Sequence, residues 1–258
     1  MSSNPYQSPS LPEPSGGGAF PRGTPSPAAY YYLPTKDLAR WITYIFIGNG
    51  LFELAFSVTM LFVGPMLDVE PDFATDDEFT QVMLIAVGGA GCLQVVIFII
   101  GVVLFCKWTS RSVSNARALG AIGMEHTPGW AVGYYFIPIL NLFRPYMAIK
   151  ETYLASDPEA DAINWKHATA PGFLLAWWLC WIFGNIVSQA DIRMSNTNDL
   201  QMMAASWYVG LVSSVLTMIA AVLAARLVHS LADRQAEKYN QQQKQPAISP
   251  TMPFGEAW

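Results

Sequence analysis

The chain has 258 residues, 52% hydrophobic and only 13% charged, with a net charge of −5, where a soluble domain carries roughly a quarter charged residues. Its charges leave long apolar stretches untouched, which excludes an ordinary soluble globular domain. Three cysteines (Cys92, Cys106, Cys180), odd in number and all in apolar stretches, suit neither a disulfide framework nor a metal site. His126, His167 and His229 lie outside or at the ends of those stretches, so no haem ligand lies at membrane depth and no cofactor is expected.

Residues 1–37, which include SPSLPEPSGGGAFPRGTPSPAAYYYLPT, cannot bury enough apolar area to offset chain entropy and read as a disordered cytoplasmic tail. The domain proper is expected over 38–235, with a second disordered tail at 236–258. Its first span runs over about 41–63, 23 residues or roughly 34 Å of helix against a bilayer core of about 30 Å. The second, about 82–106, carries Gly88, Gly89 and Gly91, small residues that allow a neighbouring helix to approach. The third covers about 172–190, after Pro171, and the fourth about 203–228. The fold class is therefore all-α: a polytopic membrane protein of four transmembrane helices.

The loops orient the spans. DVEPDFATDDEF, between the first two, holds six acids and no Lys or Arg, so a solvated outer face is expected of it rather than a cation loop. With both ends inside, 13 of the 14 basic residues are cytoplasmic and only Arg193 is not, a strong positive-inside signal. It places both termini in the cytoplasm. Lys107, Arg111, Arg117 and Lys166 near the inner surface are candidates for contact with anionic lipid headgroups.

The segment 128–147 departs from this pattern. It contains PGWAVGYYFIPILNLFRPY, whose apolar run from Trp130 to Phe143 is 14 residues, the length of a re-entrant or interfacial element. A fifth crossing there would invert the basic C-terminal end and is rejected. In a helix, Pro138 would free the carbonyl of Tyr134 and Pro145 that of Asn141. Asn141 and Arg144 would share a face. A broken-segment site of Tyr134, Pro138, Asn141, Arg144 and Pro145 is one reading; headgroup anchoring by Trp130, Tyr134, Tyr135 and Tyr146 needs no site at all.

The run from Trp108 and Arg111 through Asn115-Ala116, Leu119-Gly120 and Pro128-Gly129-Trp130 to Pro138, Asn141 and Arg144-Pro145-Tyr146 resembles one bacterial membrane family, domain of unknown function 4328. Ala155-Ser156-Asp157-Pro158 and the pair Trp177-Trp178 extend the resemblance over roughly residues 40–235; Tyr153 stands where a tryptophan is expected. The resemblance implies a four-span bacterial membrane protein and brings no catalytic residue with it.

Inside the spans the conspicuous ionisable group is Glu53, about 18 Å in from Trp41. A charge at that depth costs at least ~2.5 kcal/mol, so such acids face a partner or a cavity. Asn49 and Ser57 flank it on one stripe, and Gln94, Asn185 and Gln189 on other spans are expected to close a polar seam around it. Glu53 then titrates along a proton or cation path, or only bonds between helices; a pair with Arg144 forms if the broken segment dips deeply.

HExxH, GxSxG and GxxxxGKS patterns are absent, and enzyme is the least expected class. Two readings stand: a non-enzymatic bundle with a structural, sensing or partner-binding role, and a small oligomeric transporter or channel using the seam through Glu53 and the segment 128–147. The expected partners are the lipid bilayer, a second copy or another membrane protein, and no nucleic acid.

Overall fold

The computed structural model of the protein describes residues 30–67, 78–160, 162–197 and 199–244. Six α-helices account for most of them: α1 (Lys36–Leu67), α2 (Glu78–Ala118), α3 (Pro128–Gly133), α4 (Arg144–Ala155), α5 (Gly172–Ser195) and α6 (Leu200–Lys244). Short 3-10 turns lie at Tyr134–Phe136, Leu140–Leu142 and Asn164–His167. α1, α2, α5 and α6 are each long and apolar enough to cross a membrane, and together they form the polytopic bundle. The acidic stretch between α1 and α2, and Phe254 and Trp258 near the C-terminus, lie outside the residues whose side chains are described.

Local chemistry sets the helix ends. α2 stops where Gly120 takes a φ of 87°; its amide donates to the Arg117 carbonyl (3.0 Å) and that of Ala121 to Ala116 (3.2 Å), the paired bonds of a glycine-terminated helix. Asp199 opens α6, its carboxylate accepting from the amides of Gln201 (2.9 Å) and Met202 (3.4 Å). Pro171, extended at φ −66° and ψ 140°, precedes α5.

Packing explains why α6 is the central helix: it lies along α1 on one side and α5 on the other, with α2 flanking α1. Close approach is made at particular glycines. A side chain at Gly184 of α5 would meet Leu216 of α6 at 3.5 Å, one at Gly50 of α1 would meet Met218 at 3.0 Å, and one at Gly101 of α2 would meet Phe46 at 3.1 Å. Gly88, Gly89 and Gly91, expected to admit a neighbour, have nothing within 4 Å of such a position: α2 diverges from the bundle there. Its outer face shows Leu93, Val96, Ile99 and Val103, each more than half exposed. An apolar surface of this extent belongs in lipid.

α2 and α6, at 41 and 45 residues, measure roughly 60 and 67 Å, about twice a bilayer core. Their excess length carries a polar cap at one end, completed by α3, α4, the 3-10 turns and the extended strap Tyr30–Thr35. Two boundaries move accordingly. The N-terminal tail expected over 1–37 ends earlier among the described residues: Thr35 is buried, and the Tyr32 ring stacks on Tyr239 at 4.3 Å. The tail expected over 236–258 begins as helix, because Lys238 and Gln242 are tied into the cap. Both described chain ends therefore lie at the same end of the bundle, where Lys36 pairs with Asp233 at 3.0 Å.

Candidate functional site

Glu53 faces α6, where it accepts a long 3.5 Å hydrogen bond from the Thr217 hydroxyl. One turn along α1, Ser57 donates to the Gly210 carbonyl at 3.5 Å. The amide oxygens of Asn49 and Gln94 are both buried without a hydrogen-bond partner. Asn185 and Gln189 are exposed, and the Asn185 amide turns back to the Trp181 carbonyl of its own helix (2.7 Å). The seam thus forms between α1 and α6 and does not take in Asn185. It gains a residue instead: Asp191 packs its carboxylate against Gly210, 3.1 Å from where a side chain there would begin, the residue whose carbonyl Ser57 bonds. Asp191 falls just past the end expected for the third span, at residue 190, and α5 runs on to Ser195.

The segment 128–147 is broken as expected, but its prolines begin and end helices rather than interrupt one. The chain tightens at Tyr134–Phe136 and extends at Ile137 (φ −103°, ψ 111°) before Pro138, as the residue before proline prefers. Pro145 sits in the first turn of α4, where its missing N–H costs no bond. Two other carbonyls of the segment are bonded: that of Ile137 by the Asn141 amide (2.8 Å) and that of Leu142 by the Trp178 indole of α5 (3.0 Å). Asn141 and Arg144 consequently belong to different elements and share no helix face. Asn141 keeps a buried, unbonded amide oxygen. Arg144 instead lies over the Tyr134 ring (5.8 Å), whose edge meets His126. Its position in the cap also removes the pairing considered with Glu53, which sits at Thr217 far along α6. The segment touches the bundle through Tyr135 on Phe105 and the Leu142 carbonyl on Trp178, leaving the side chains of Phe136, Ile139 and Leu142 exposed.

The best-built polar constellation is one the sequence reading passed over. Asn115 of α2 and Gln235 of α6, both fully buried, form its centre. The Asn115 amide nitrogen donates to the Leu33 carbonyl (2.7 Å) and the Gln235 amide oxygen (3.0 Å), and its oxygen accepts from the Leu33 N–H (2.9 Å). Gln235 donates in turn to the Ser112 carbonyl (2.8 Å) and the Ser156 hydroxyl (3.0 Å). One turn on, buried Lys238 donates to the carbonyls of Ala155 and Ala160. Arg234 bridges to Asp157 at 2.8 Å and lies over Tyr153 at 4.5 Å. Strap, α2, α4 and α6 are thus joined by hydrogen bonds that leave no amide atom of Asn115 or Gln235 unsatisfied. A signal was present: Leu227, Leu231, Gln235 and Lys238 continue one helical stripe, and Gln235 falls on its buried face.

Two cavities open on the cap. One, of about 340 Å³, lies between the strap and α2. The other, of about 270 Å³, is lined by His126, Lys150, Glu151, Trp165 and Lys166 among others. There the Glu151 carboxylate accepts from the amides of Glu125 (2.6 Å) and His126 (3.0 Å), and the Arg117 guanidinium donates to the carbonyls of Met124 and His126. Burial of the His126 imidazole holds it below its ordinary pKa, against the opposing pull of the Glu151 charge. Among the described residues no three His, Cys, Asp or Glu side chains are grouped to hold a metal ion.

The fold and this cap define a polytopic helical membrane protein whose polar machinery is concentrated at one end. Residues 74–233 match the family described as Domain of unknown function (DUF4328), and the chain belongs to that family. The match runs from before α2 to Asp233 in α6; the strap and α1, with Glu53 and Asn49, precede it. No curated protein and no solved structure matches the chain.

Proposed function

We propose that the protein is a non-enzymatic membrane module whose cap, facing the cytoplasm of a bacterial inner membrane, is a sensing or partner-binding platform. The observation that carries this reading is the concentration of built polar structure: the buried Asn115–Gln235 network and both cavities lie in the cap. The clustering of Lys107, Arg111, Arg117, Lys150 and Lys166 on the same end supports the orientation. Photo-crosslinking in cells tests the role. A photoreactive residue at Met147 or Lys150, beside the second cavity, is expected to capture one protein that a probe at lipid-facing Ile99 does not, with capture lost in Gln235→Leu. Equal recovery from all three positions would sink it.

A second reading, a small oligomeric transporter, gains support from Asp191, whose carboxylate lies at Gly210 where Ser57 of the Glu53 stripe also bonds, which gives the seam two acids. On that reading Glu53→Gln abolishes proton or cation flux in reconstituted vesicles. Wild-type flux no greater than that of empty vesicles rules it out.

A further inference from the structure

Lys107, Ser110, Arg111 and Ser114 of α2 recur at helical spacing and share one face. With Tyr30 and Tyr31 of the strap they wall the groove of about 340 Å³. The groove exists because the strap is held: Asn115 grips both backbone polar groups of Leu33, and Tyr32 stacks on Tyr239. Neither Lys107 nor Arg111 is ion-paired among the described residues. Among the described residues the hydrogen bond from Arg111 is long, 3.4 Å to the Pro34 carbonyl, and engages one of its five guanidinium donors. The second cavity is different, since Lys150 and Lys166 there share the lining with Glu125 and Glu151. Of these two cavities, the strap groove is the one lined by cations without acids among the described residues.

The same face of α2 also continues into the membrane. Val96, Ile100 and Val103 precede Lys107 at helical spacing and are all exposed. Val103 lies one turn, about 6 Å, from Lys107. A lipid whose acyl chains follow that apolar track therefore meets Lys107, Ser110 and Arg111 at headgroup depth, where the donors of all three suit a phosphate.

We propose that this groove binds the phosphate headgroup of an anionic phospholipid, held by Lys107, Ser110 and Arg111 beneath the tyrosines of the strap. The proposal does not rest on the partner-binding role of the cap. In the test, full-length protein in detergent is titrated with phosphatidylglycerol or phosphatidylcholine, and bound lipid is counted by native mass spectrometry. Phosphatidylglycerol is expected to be retained roughly tenfold more tightly. Lys107→Gln with Arg111→Gln removes that preference, and Lys150→Gln with Lys166→Gln at the second cavity keeps it. Equal retention of the two lipids overturns the proposal, as does a Lys107/Arg111 double variant that still prefers phosphatidylglycerol. Inorganic phosphate that displaces the lipid at equal concentration assigns the groove to a soluble anion and overturns it too. A measurement on the wild-type chain is independent of how the variants fold: a phosphatidylglycerol photo-crosslinker on the headgroup should label peptides containing residues 30–33 or 107–114. Labelling confined to other peptides refutes the assignment.

Discussion

Gln235 shows how much a single side chain decides in this protein. Its amide joins α6 to α2 through Asn115 and the Ser112 carbonyl, and to the end of α4 through Ser156. Replacement by leucine keeps the volume and strips every one of these bonds; the Ser156 hydroxyl keeps its bond to the Thr152 carbonyl, while one Asn115 N–H is left without an acceptor, at about 1–3 kcal/mol. Gln235→Leu is therefore expected to lower stability by about 2–3 kcal/mol in detergent denaturation. Gln241→Leu, on the exposed side of the same helix, stays within about 0.5 kcal/mol. Equal effects would mean the network contributes nothing. His126 makes a second prediction at this scale. Its folded pKa lies below the ordinary value because the ring is buried, so the unfolded chain binds the proton more readily. The stability it permits is intact above the ordinary histidine pKa of about 6.5 and is lost as pH falls through the folded value. Hydrogen exchange of residues 119–126, corrected for intrinsic rates, should accelerate from pH 7 to pH 5, and His126→Asn should flatten that response. An unchanged pH response in the variant would place the sensitivity elsewhere.

At the scale of elements, the helices were readable and their closest contacts were not. Four apolar runs identify four spans because lipid demands a backbone bonded within its own segment. Which glycines admit a neighbour depends instead on rotation about each helix axis, which hydropathy does not record. Gly88, Gly89 and Gly91 look like a packing face, yet α6 presses on Gly184 and Gly50. Gly184→Ala fits at ordinary contact distance, so it should leave the melting temperature nearly unchanged. Gly184→Leu has to push α6 away at Leu216 and Thr217 and should cost about 2 kcal/mol or more. Thermal melts of the two variants decide it, and a harmless leucine would show that α5 and α6 are not packed there. The prolines of 128–147 carry a similar lesson. Their positions forecast a broken segment, but whether a proline interrupts a helix or begins one depends on where the neighbouring turns find partners, here Trp178 and the first turn of α4.

At the scale of the whole molecule, the even number of long helices brings the strap and the end of α6 to the same end, and the cap makes that neighbourhood a packed one. In a background lacking the native cysteines, single-cysteine variants at Tyr31 and Gln243 should react with an impermeant maleimide from the same side of the membrane. Opposite sidedness would contradict the four-helix arrangement. Deleting residues 1–34 removes two hydrogen bonds to Asn115 and the Tyr32–Tyr239 stack, together about 2–3 kcal/mol. The melting temperature should fall by about 5–10 °C; an unchanged value would mean the strap is not held in solution.

The amino-acid sequence by itself determined the membrane class, the four spans, the broken segment and the family, because each is written in local composition and short motifs. Only the tertiary structure decided that polar residues outside the spans form a cap, that Asp191 joins Glu53, and that Arg144 belongs beside Tyr134 and His126. These depend on meetings between residues such as Leu33, Asn115 and Gln235, separated by 82 and 120 positions. A buried amide and a solvated one look alike until the partner that satisfies it is in place.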